Sequence, residues 1–460
     1  MAQILSIGEL IQCHRYNKGM TLAQLSELTG IHKGTISKIE NGDVKRPEYK
    51  TIRPLADTLQ IPLETLVELH ITVDKRADTL LFVLQDVIQH SGTADLVKKV
   101  GRKFMESPSD DSHVLVERLY AFTDSLENKE IKLALYQAIV DYSRDHGIMP
   151  FLAKGLLQVY LIERDDFSRL RDVYDSGKHI VQFVDFLTSE ERITLYYKLS
   201  IHAFNLFLYE QSINLCLNVL QEAGEAGREH LYYVNALGIL CNSYFYLGDY
   251  QRSENFLSLY MQYEYPDVKA NAVLMSALID AKKGNSNFAI TELRTFLETC
   301  SQDAALQAIN QLMPLYLQEN RLVEARQLID YPICMESIST NNPNTISQLA
   351  EYYFHRAEYF ITVFDIPKGV SDLQKSACFF SKVNDIDNEK ECITKIENLH
   401  DTLLAKVKEL KQKLIHIANQ KGKLTDDEVV QISQQLDIYI LELQKYYIKQ
   451  QEKDIARRSS

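Results

Sequence analysis

Between residues 31 and 39, small polar and basic side chains alternate with isoleucines. The polar and basic members are Lys33, Thr35, Ser37 and Lys38. If the segment is a helix, Ile36 and Ile39 lie one turn apart on its buried side, and the polar side chains face solvent. Hydroxyl and ammonium groups on an exposed helix face are suited to contact base edges and phosphates in a DNA major groove. The spacing therefore predicts a DNA-contacting helix.

These side chains must be positioned by two short helices, which are joined by a tight turn and span residues 21–42. Thr21 is a good cap for the first helix, because its hydroxyl can accept from a free backbone N–H. We expect the buried side of that helix to consist of Leu22, Ala23, Leu25 and Leu28. Gly30 ends the first helix and Gly42 the second, since glycine enters the left-handed region without a Cβ clash.

The stretch closely resembles the helix-turn-helix of the Xre/lambda-repressor-like family. The matching motifs are Leu22-Ala23-x-Leu25, Gly30-Ile31 and Ile36-Ser37-Lys38-Ile39-Glu40-Asn41-Gly42. The resemblance implies binding to double-stranded DNA. It places Lys33, Thr35, Ser37 and Lys38 at base-reading or phosphate-facing positions, and Gln24 at a phosphate-contacting position. One departure is His32, where the family usually has Ser or Asp; we expect a weaker cap there, or a histidine that faces a phosphate.

Three further helices complete a domain of residues 1–70. Residues 4–17 predict a first helix with Leu5, Leu10 and Ile11 inward and Arg15 outward. Pro47 and Pro62 are expected to open the fourth and fifth helices. Residues 71–80 contain no Gly or Pro, and we interpret them as a connector that runs into the next helix.

Composition and charge restrict the function classes. The 460 residues carry a net charge of −13, which argues against a broad basic surface. The acidic excess lies outside residues 1–70, and residues 33–53 form a small, local basic patch. Only 17 glycines and 10 prolines favour an all-α chain.

Other sequence features argue against a secreted protein, a membrane protein or an enzyme. The seven cysteines are scattered singly, and neither a signal peptide nor a membrane-spanning run is found, so we expect a cytoplasmic protein. Phosphate loops, nucleophile elbows and His-Cys clusters are also missing, which predicts no enzyme activity, no metal and no cofactor.

Downstream of residue 80, turns recur at a fixed period. Gly248, Gly284 and Asn320 are spaced 36 residues apart. The same spacing separates the small residues that follow these turns, which are Ser253, Ala289 and Ala325. A fixed period in this range predicts an array of helix pairs. The pattern resembles tetratricopeptide repeats and implies a right-handed α-solenoid over residues 81–420, with residues 421–460 forming a capping helix and a frayed tail.

The resemblance also implies that the first helix of each pair lines a concave groove. In that frame, a carboxamide occupies the same position in three successive first helices. These residues are Asn235, Asn271 and Gln307, with Asn205, Asn242 and Asn310 as further candidates. Carboxamides donate and accept, so a column of them can pair with the backbone of an extended peptide. The alternative is that they are ordinary polar residues on solvated helix faces.

The whole architecture resembles the peptide-pheromone-responsive regulators of Gram-positive bacteria, the Rap/NprR/PlcR/Rgg group. That resemblance implies a quorum-sensing transcriptional regulator, a homodimer on a palindromic operator, whose oligomeric state or DNA affinity changes when a short signalling peptide binds. Two alternatives stay open. One is a scaffold that sequesters a response regulator or another protein partner, and the other is a phage or mobile-element repressor.

Overall fold

The computed structural model describes residues 6–166, 169–224, 227–228, 230–298, 300, 302–331, 343–421 and 427–458. Within these ranges the chain is helical and contains no β-strand, which confirms the predicted all-α class. The chain forms two compact units, one of residues 1–166 and 171–198, the other of residues 167–170 and 199–460. No helix in the described ranges has the length and apolar character needed to span a membrane.

The first unit begins with five short helices, followed by longer ones. The helices are α1 (Ile7–Asn17), α2 (Leu22–Thr29), α3 (Lys33–Glu40), α4 (Tyr49–Leu59), α5 (Leu63–Val73), α6 (Ala77–Gln89), α7 (Ala94–Met105), α8 (Ser112–Asp124), α9 (Lys129–His146), α10 (Met149–Glu163) and α11 (Leu170–His179). A 3₁₀ segment, Ile180–Phe186, precedes α12 (Ser189–Asn205).

One continuous hydrophobic core extends through the first unit from Ile7 in α1 to Phe151 in α10. The predicted domain boundary at residue 70 and the predicted connector 71–80 do not coincide with a division of the fold. Helix α5 runs to Val73, α6 starts at Ala77, and α6 packs against the same core as the first five helices. Helices α6 and α7 therefore support the helix-turn-helix, because their buried apolar side chains belong to the same core.

The second unit consists of helix pairs. Its helices are α13 (Tyr209–Ala223), α14 (Leu231–Tyr246), α15 (Tyr250–Tyr260), α16 (Pro266–Lys282), α17 (Ser286–Leu297), α18 (Gln302–Gln318), α19 (Leu322–Ile329), α20 (Pro343–Thr362), α21 (Ile366–Lys382), α22 (Ile386–Lys421) and α23 (Asp427–Arg458).

The predicted turns of the repeat are confirmed. Gly248, Gly284 and Asn320 have φ values of 78°, 91° and 55°, so each takes the left-handed conformation between two paired helices. Phe364 does the same between α20 and α21, with φ of 64°.

The small residues after the three turns are fully buried at the helix crossings, as the repeat pattern requires. Ser253 also donates a 2.8 Å hydrogen bond from its hydroxyl to the carbonyl of Cys241 on the facing helix. Ser212 and Ser376 make the same kind of bond, to the carbonyls of Ser200 and Ala350. At these three helix crossings, a buried serine therefore fits between the helices, and its hydroxyl still has a hydrogen-bond partner.

Helices α22 and α23 are about twice as long as the repeat helices and form a hairpin. Val407, Leu410, Ile432 and Leu436 belong to a core of the hairpin itself. The predicted cap of α23, Thr425, lies outside the described residues. The predicted frayed tail is wrong as far as Arg458, because α23 continues to that residue.

Candidate DNA-binding surface and peptide groove

Helix α2 begins at a capping box. The Thr21 hydroxyl accepts from the Gln24 backbone N–H at 3.3 Å, and the Gln24 side-chain oxygen accepts from the Thr21 backbone N–H at 2.9 Å. The exposed Gln24 side chain is therefore held at the N-terminus of the helix, where unpaired backbone N–H groups favour a phosphate. Gly30 ends the helix with φ of 71°.

His32 caps α3 directly. Its Nδ1 accepts a hydrogen bond from the backbone N–H of Gly34 at 3.1 Å. The imidazole therefore takes the place of the usual Ser or Asp oxygen as the cap acceptor of α3. That this cap is weaker than Ser or Asp stays a prediction.

The outer face of α3 matches the sequence prediction. Lys33, Thr35 and Lys38 are exposed, while Ile36 and Ile39 are buried. Ser37 is half-buried, and its hydroxyl accepts from the Asn41 amide at 3.4 Å. The helix thus presents two cations and one hydroxyl to solvent, with Ser37 at the edge of that face.

The basic patch is smaller than its composition indicates. The Arg53 guanidinium donates to Asp86 of α6 at 2.8 Å and also pairs with Asp57. The Lys50 ammonium lies 5.0 Å from the centre of the Phe82 ring. Those two cations lie where α4 packs on α6. Arg53 is half-buried there but Lys50 stays exposed, so the exposed cations of the patch are Lys33, Lys38, Lys45, Arg46 and Lys50.

Arg15 was predicted to face outward but is buried, with 5% of its surface exposed. Its guanidinium makes two 2.7 Å hydrogen bonds to the Glu40 carboxylate at the end of α3, and a third, of 2.8 Å, to the carbonyl of Met20. A bidentate pair of this kind fixes both distance and angle. It therefore sets the orientation of α3 relative to α1.

Helix α1 approaches α3 closely at Gly8. A Cβ atom at this position would lie 2.1 Å from the carbonyl oxygen of Ile39. Only glycine leaves room for the two helices at this distance.

Two residues predicted on the buried side of α2 face solvent instead. Leu28 is 62% exposed, and Ala23 is exposed as well. Leu25 is buried and Thr29 follows it on the inner side, with its hydroxyl bonded to the Leu25 carbonyl at 2.7 Å. The next inward-facing residue after Leu25 is therefore Thr29, four positions later, and not Leu28, three positions later.

All six carboxamides predicted for the peptide groove lie on the first helix of a pair. Asn205 is on α12, Asn235 and Asn242 are on α14, Asn271 is on α16, and Gln307 and Asn310 are on α18. Asn271 is exposed and donates to the Tyr260 hydroxyl at 3.3 Å; Asn205, Asn235, Asn242 and Gln307 are half-buried.

Asn310 differs from the other five because only 2% of its surface is exposed. Its amide donates to the Gln348 carbonyl at 2.8 Å, to the Gln348 side-chain oxygen at 3.0 Å and to Glu351 at 3.5 Å. The side-chain amide of Asn310 therefore links α18 to α20 by hydrogen bonds.

The sequence did not reveal an aromatic and acidic cluster in the second unit. The rings of Tyr209 and Tyr246 are stacked, with centres 5.1 Å apart and planes 8° apart. Burial raises the pKa of Tyr209, and the carboxylates of Asp385 and Glu351 raise it further. Glu351 and Asp385 are far from both tyrosines in the sequence, so no periodicity could have grouped the four residues.

Among the described residues, no three His, Cys, Asp or Glu side chains are arranged to hold a metal ion.

Two family models match separate parts of the chain. Residues 15–66 match a model described as helix-turn-helix, and residues 403–445 match one described as Spo0E like sporulation regulatory protein. The helix-turn-helix match was expected from the sequence, but the second match was not. The sequence feature that sets this second region apart is that the 36-residue period does not extend into α22 and α23.

Among known proteins, the HTH-type transcriptional repressor RghR of Bacillus subtilis (strain 168) is 39% identical over 62 residues. The alignment covers 14% of this chain and 46% of the relative, so the chain matches less than half of that protein.

Two solved structures are also similar. A tetratricopeptide repeat protein from Parabacteroides merdae ATCC 43184 has 17% identity and a TM-score of 0.45, over 62% of this chain and 98% of the other. Bacillus thuringiensis PlcR, in complex with the peptide PapR7 and DNA, has 13% identity and a TM-score of 0.28, over 84% of this chain and 99% of the other. By the family match, residues 15–66 of this chain are a helix-turn-helix domain.

Proposed function

We propose that the chain is a transcriptional regulator that binds double-stranded DNA through α3. The observation that carries this proposal is the outer face of α3, where Lys33, Thr35 and Lys38 are exposed on a helix that two anchors, Gly8 and the Arg15–Glu40 pair, hold in place. A helix held in this way can enter a major groove without losing the conformational entropy that a loose helix would lose.

Replacing Lys33 or Lys38 by alanine is expected to weaken DNA binding at any sequence. Each lysine that contacts a phosphate releases about one counterion. Each loss therefore makes the negative slope of log K against log salt shallower by about 1, and lowers the affinity by up to about tenfold at 0.1 M salt. Fluorescence anisotropy at several salt concentrations measures both quantities. Lys129→Ala is the matched control, because Lys129 is exposed in the same unit but lies on α9. An unchanged slope in both α3 variants would contradict the proposed surface.

The second unit, in this proposal, binds a short signalling peptide in an extended conformation. The support is that carboxamides recur at Asn235, Asn271 and Gln307, one for each 36-residue repeat and always on the first helix of a pair. An extended peptide has unpaired N–H and C=O groups at regular spacing, and burial without partners would be costly. A regular column of groups that both donate and accept meets that need.

The double variant Asn235→Ala and Asn271→Ala is expected to lose peptide affinity by about tenfold to one-hundredfold, since each lost pair of neutral hydrogen bonds contributes about 1 kcal/mol or more. Isothermal titration with short peptides encoded beside the gene measures this loss. The control is Asn214→Ala with Asn255→Ala, which changes exposed asparagines on the second helices α13 and α15. Equal losses in both double variants would count against a groove on the first helices.

The proposed mechanism is a population shift in a cytoplasmic homodimer. Two copies present two α3 helices to a palindromic operator, whose half-sites lie about one DNA turn apart. Binding of the peptide changes the pitch of the helical array. The change in pitch alters the oligomeric state or the DNA affinity. The peptide can do so only if it binds one pitch more tightly than the other.

A second candidate function is the binding of a protein partner, such as a response regulator, by the α22–α23 hairpin. The observation in its favour is the match of residues 403–445 to a sporulation regulatory protein model, together with exposed apolar side chains on the hairpin, including Ile415, Ile438 and Leu441. A gel-shift assay separates the two candidates: a scaffold without a regulatory role on DNA would not retard its own promoter fragment.

A further inference from the structure

The cluster around Asn310 in the second unit has more hydrogen-bond acceptors than donors. The Asn310 amide N–H groups are shared among three acceptors on α20, and the distance to Glu351 is long, at 3.5 Å. The Asn310 Oδ1 atom is buried and accepts no hydrogen bond from any described residue. An unpaired buried acceptor is costly, and it points to a missing donor.

The charge around this cluster is also unbalanced. Burial raises the pKa of Glu351, and the nearby carboxylate of Asp385 raises it further, while His355 acts in the opposite direction. The Nδ1 of His355 lies 3.6 Å from Glu358, so that histidine is shared with another carboxylate. Asp385 is 7% exposed. Its two oxygens accept from the side-chain amide and the backbone N–H of Asn388, at 2.7 and 3.3 Å, and neither bond adds positive charge.

We propose that Asn310 Oδ1 and Glu351 form a subsite for a positively charged nitrogen of the peptide ligand. A protonated amine or guanidinium would supply the missing donor to Asn310 and the missing charge to Glu351. The chemistry fits the free α-amino group of the peptide and equally a lysine or arginine side chain. This inference rests on the proposed function, because it takes the ligand to be a peptide.

The test is affinity selection from a library of synthetic pentapeptides with the full chain, followed by titration of the retained peptides. We expect retained peptides to lose at least tenfold in affinity for the wild-type protein when the cation is removed. Acetylation of the N-terminus tests the α-amino group, and replacement of lysine by norleucine or arginine by citrulline tests the side chain. A loss of affinity in either comparison supports the subsite and identifies which nitrogen of the peptide occupies it.

Protein variants give a second measurement. Glu351→Gln is expected to weaken binding of the cationic peptides by about tenfold to one-hundredfold, the size expected for a lost charge-assisted bond. It should not affect the neutralised peptides. Glu292→Gln is the matched control, because Glu292 is also a half-buried carboxylate with an unpaired oxygen and a raised pKa, on the second helix α17. Thermal unfolding verifies that both variants fold.

The outcomes separate this inference from the proposed function. Retained peptides that bind equally well with and without their cation would overturn the subsite and leave the peptide receptor intact. A library from which the wild-type protein retains nothing would overturn both.

Discussion

Replacing Glu40 by alanine is expected to lower the free energy of unfolding of the first unit by about 3–5 kcal/mol. This is the usual cost of leaving one member of a buried ion pair without its partner. The pair joins Arg15 on α1 to Glu40 on α3 through two 2.7 Å bonds, and both residues are 5% exposed. Urea denaturation, together with hydrogen exchange of the amides in α1 and α3, measures the global and the local loss.

The double variant Arg15→Met with Glu40→Leu distinguishes a desolvation cost from a simple loss of contacts. It removes the unpaired charge, so we expect it to recover at least half of the lost stability. Full recovery is not expected, because the Met20 carbonyl also loses its 2.8 Å bond from Arg15. Glu27→Ala, an exposed change on α2, should change stability by less than about 0.5 kcal/mol. A double variant as unstable as Glu40→Ala would contradict the assignment of the cost to the buried charge.

Gly8→Ala is expected to weaken DNA binding by at least tenfold, although alanine is ordinarily the better helix residue. In an unconstrained helix the change would stabilise by about 1 kcal/mol. Here the new Cβ atom would lie 2.1 Å from the Ile39 carbonyl oxygen, so α1 and α3 must move apart. Overpacking of this kind costs about 1–3 kcal/mol, and it displaces the helix that carries Lys33, Thr35 and Lys38. Anisotropy with operator DNA and thermal unfolding together measure the two effects.

The control for Gly8 is Gly19→Ala. Gly19 has φ of 63°, so alanine is strained there, but nothing lies within 4 Å of its new Cβ atom. We expect a comparable stability loss of about 1 kcal/mol with DNA binding retained. If Gly19→Ala reduced DNA binding as much as Gly8→Ala, the close approach of α1 to α3 would not be what positions the helix.

The parts of the fold that local sequence determines could be predicted. Gly30, Gly248 and Gly284 take positive φ because a helix must end there, and the 36-residue period repeats the same pair of helices. Ser253 and Ala289 are buried because only small side chains fit at a helix crossing. These inferences depend on a few neighbouring residues, which is why they were confirmed.

Features that depend on distant partners were missed. Arg15 was predicted to face outward because its charge favours solvent, and its partner Glu40 is 25 residues away. The continuous core from Ile7 to Phe151 likewise involves helices that the sequence pattern treated as separate domains. A charged residue tolerates burial only with a partner, and periodicity within one helix cannot identify that partner.

The candidate peptide groove also combines features that local sequence predicts with features that depend on distant residues. The carboxamides could be placed on first helices from the repeat frame, but the bond from Asn310 to Glu351 spans 41 residues and could not. The stacked pair of Tyr209 and Tyr246 comes from two different repeats. The helices that carry the carboxamides could therefore be predicted from the sequence, while the acidic cluster around Glu351 is seen only in the structure.

We propose that DNA affinity depends on a peptide bound to the second unit. The most direct measurement is the affinity of the full chain for a labelled fragment of its own promoter, with and without short peptides encoded beside the gene. We expect one peptide to change that affinity at least tenfold, and the change to vanish in the Asn235→Ala and Asn271→Ala variant while DNA binding itself persists. DNA binding that every peptide leaves unchanged would contradict the claim.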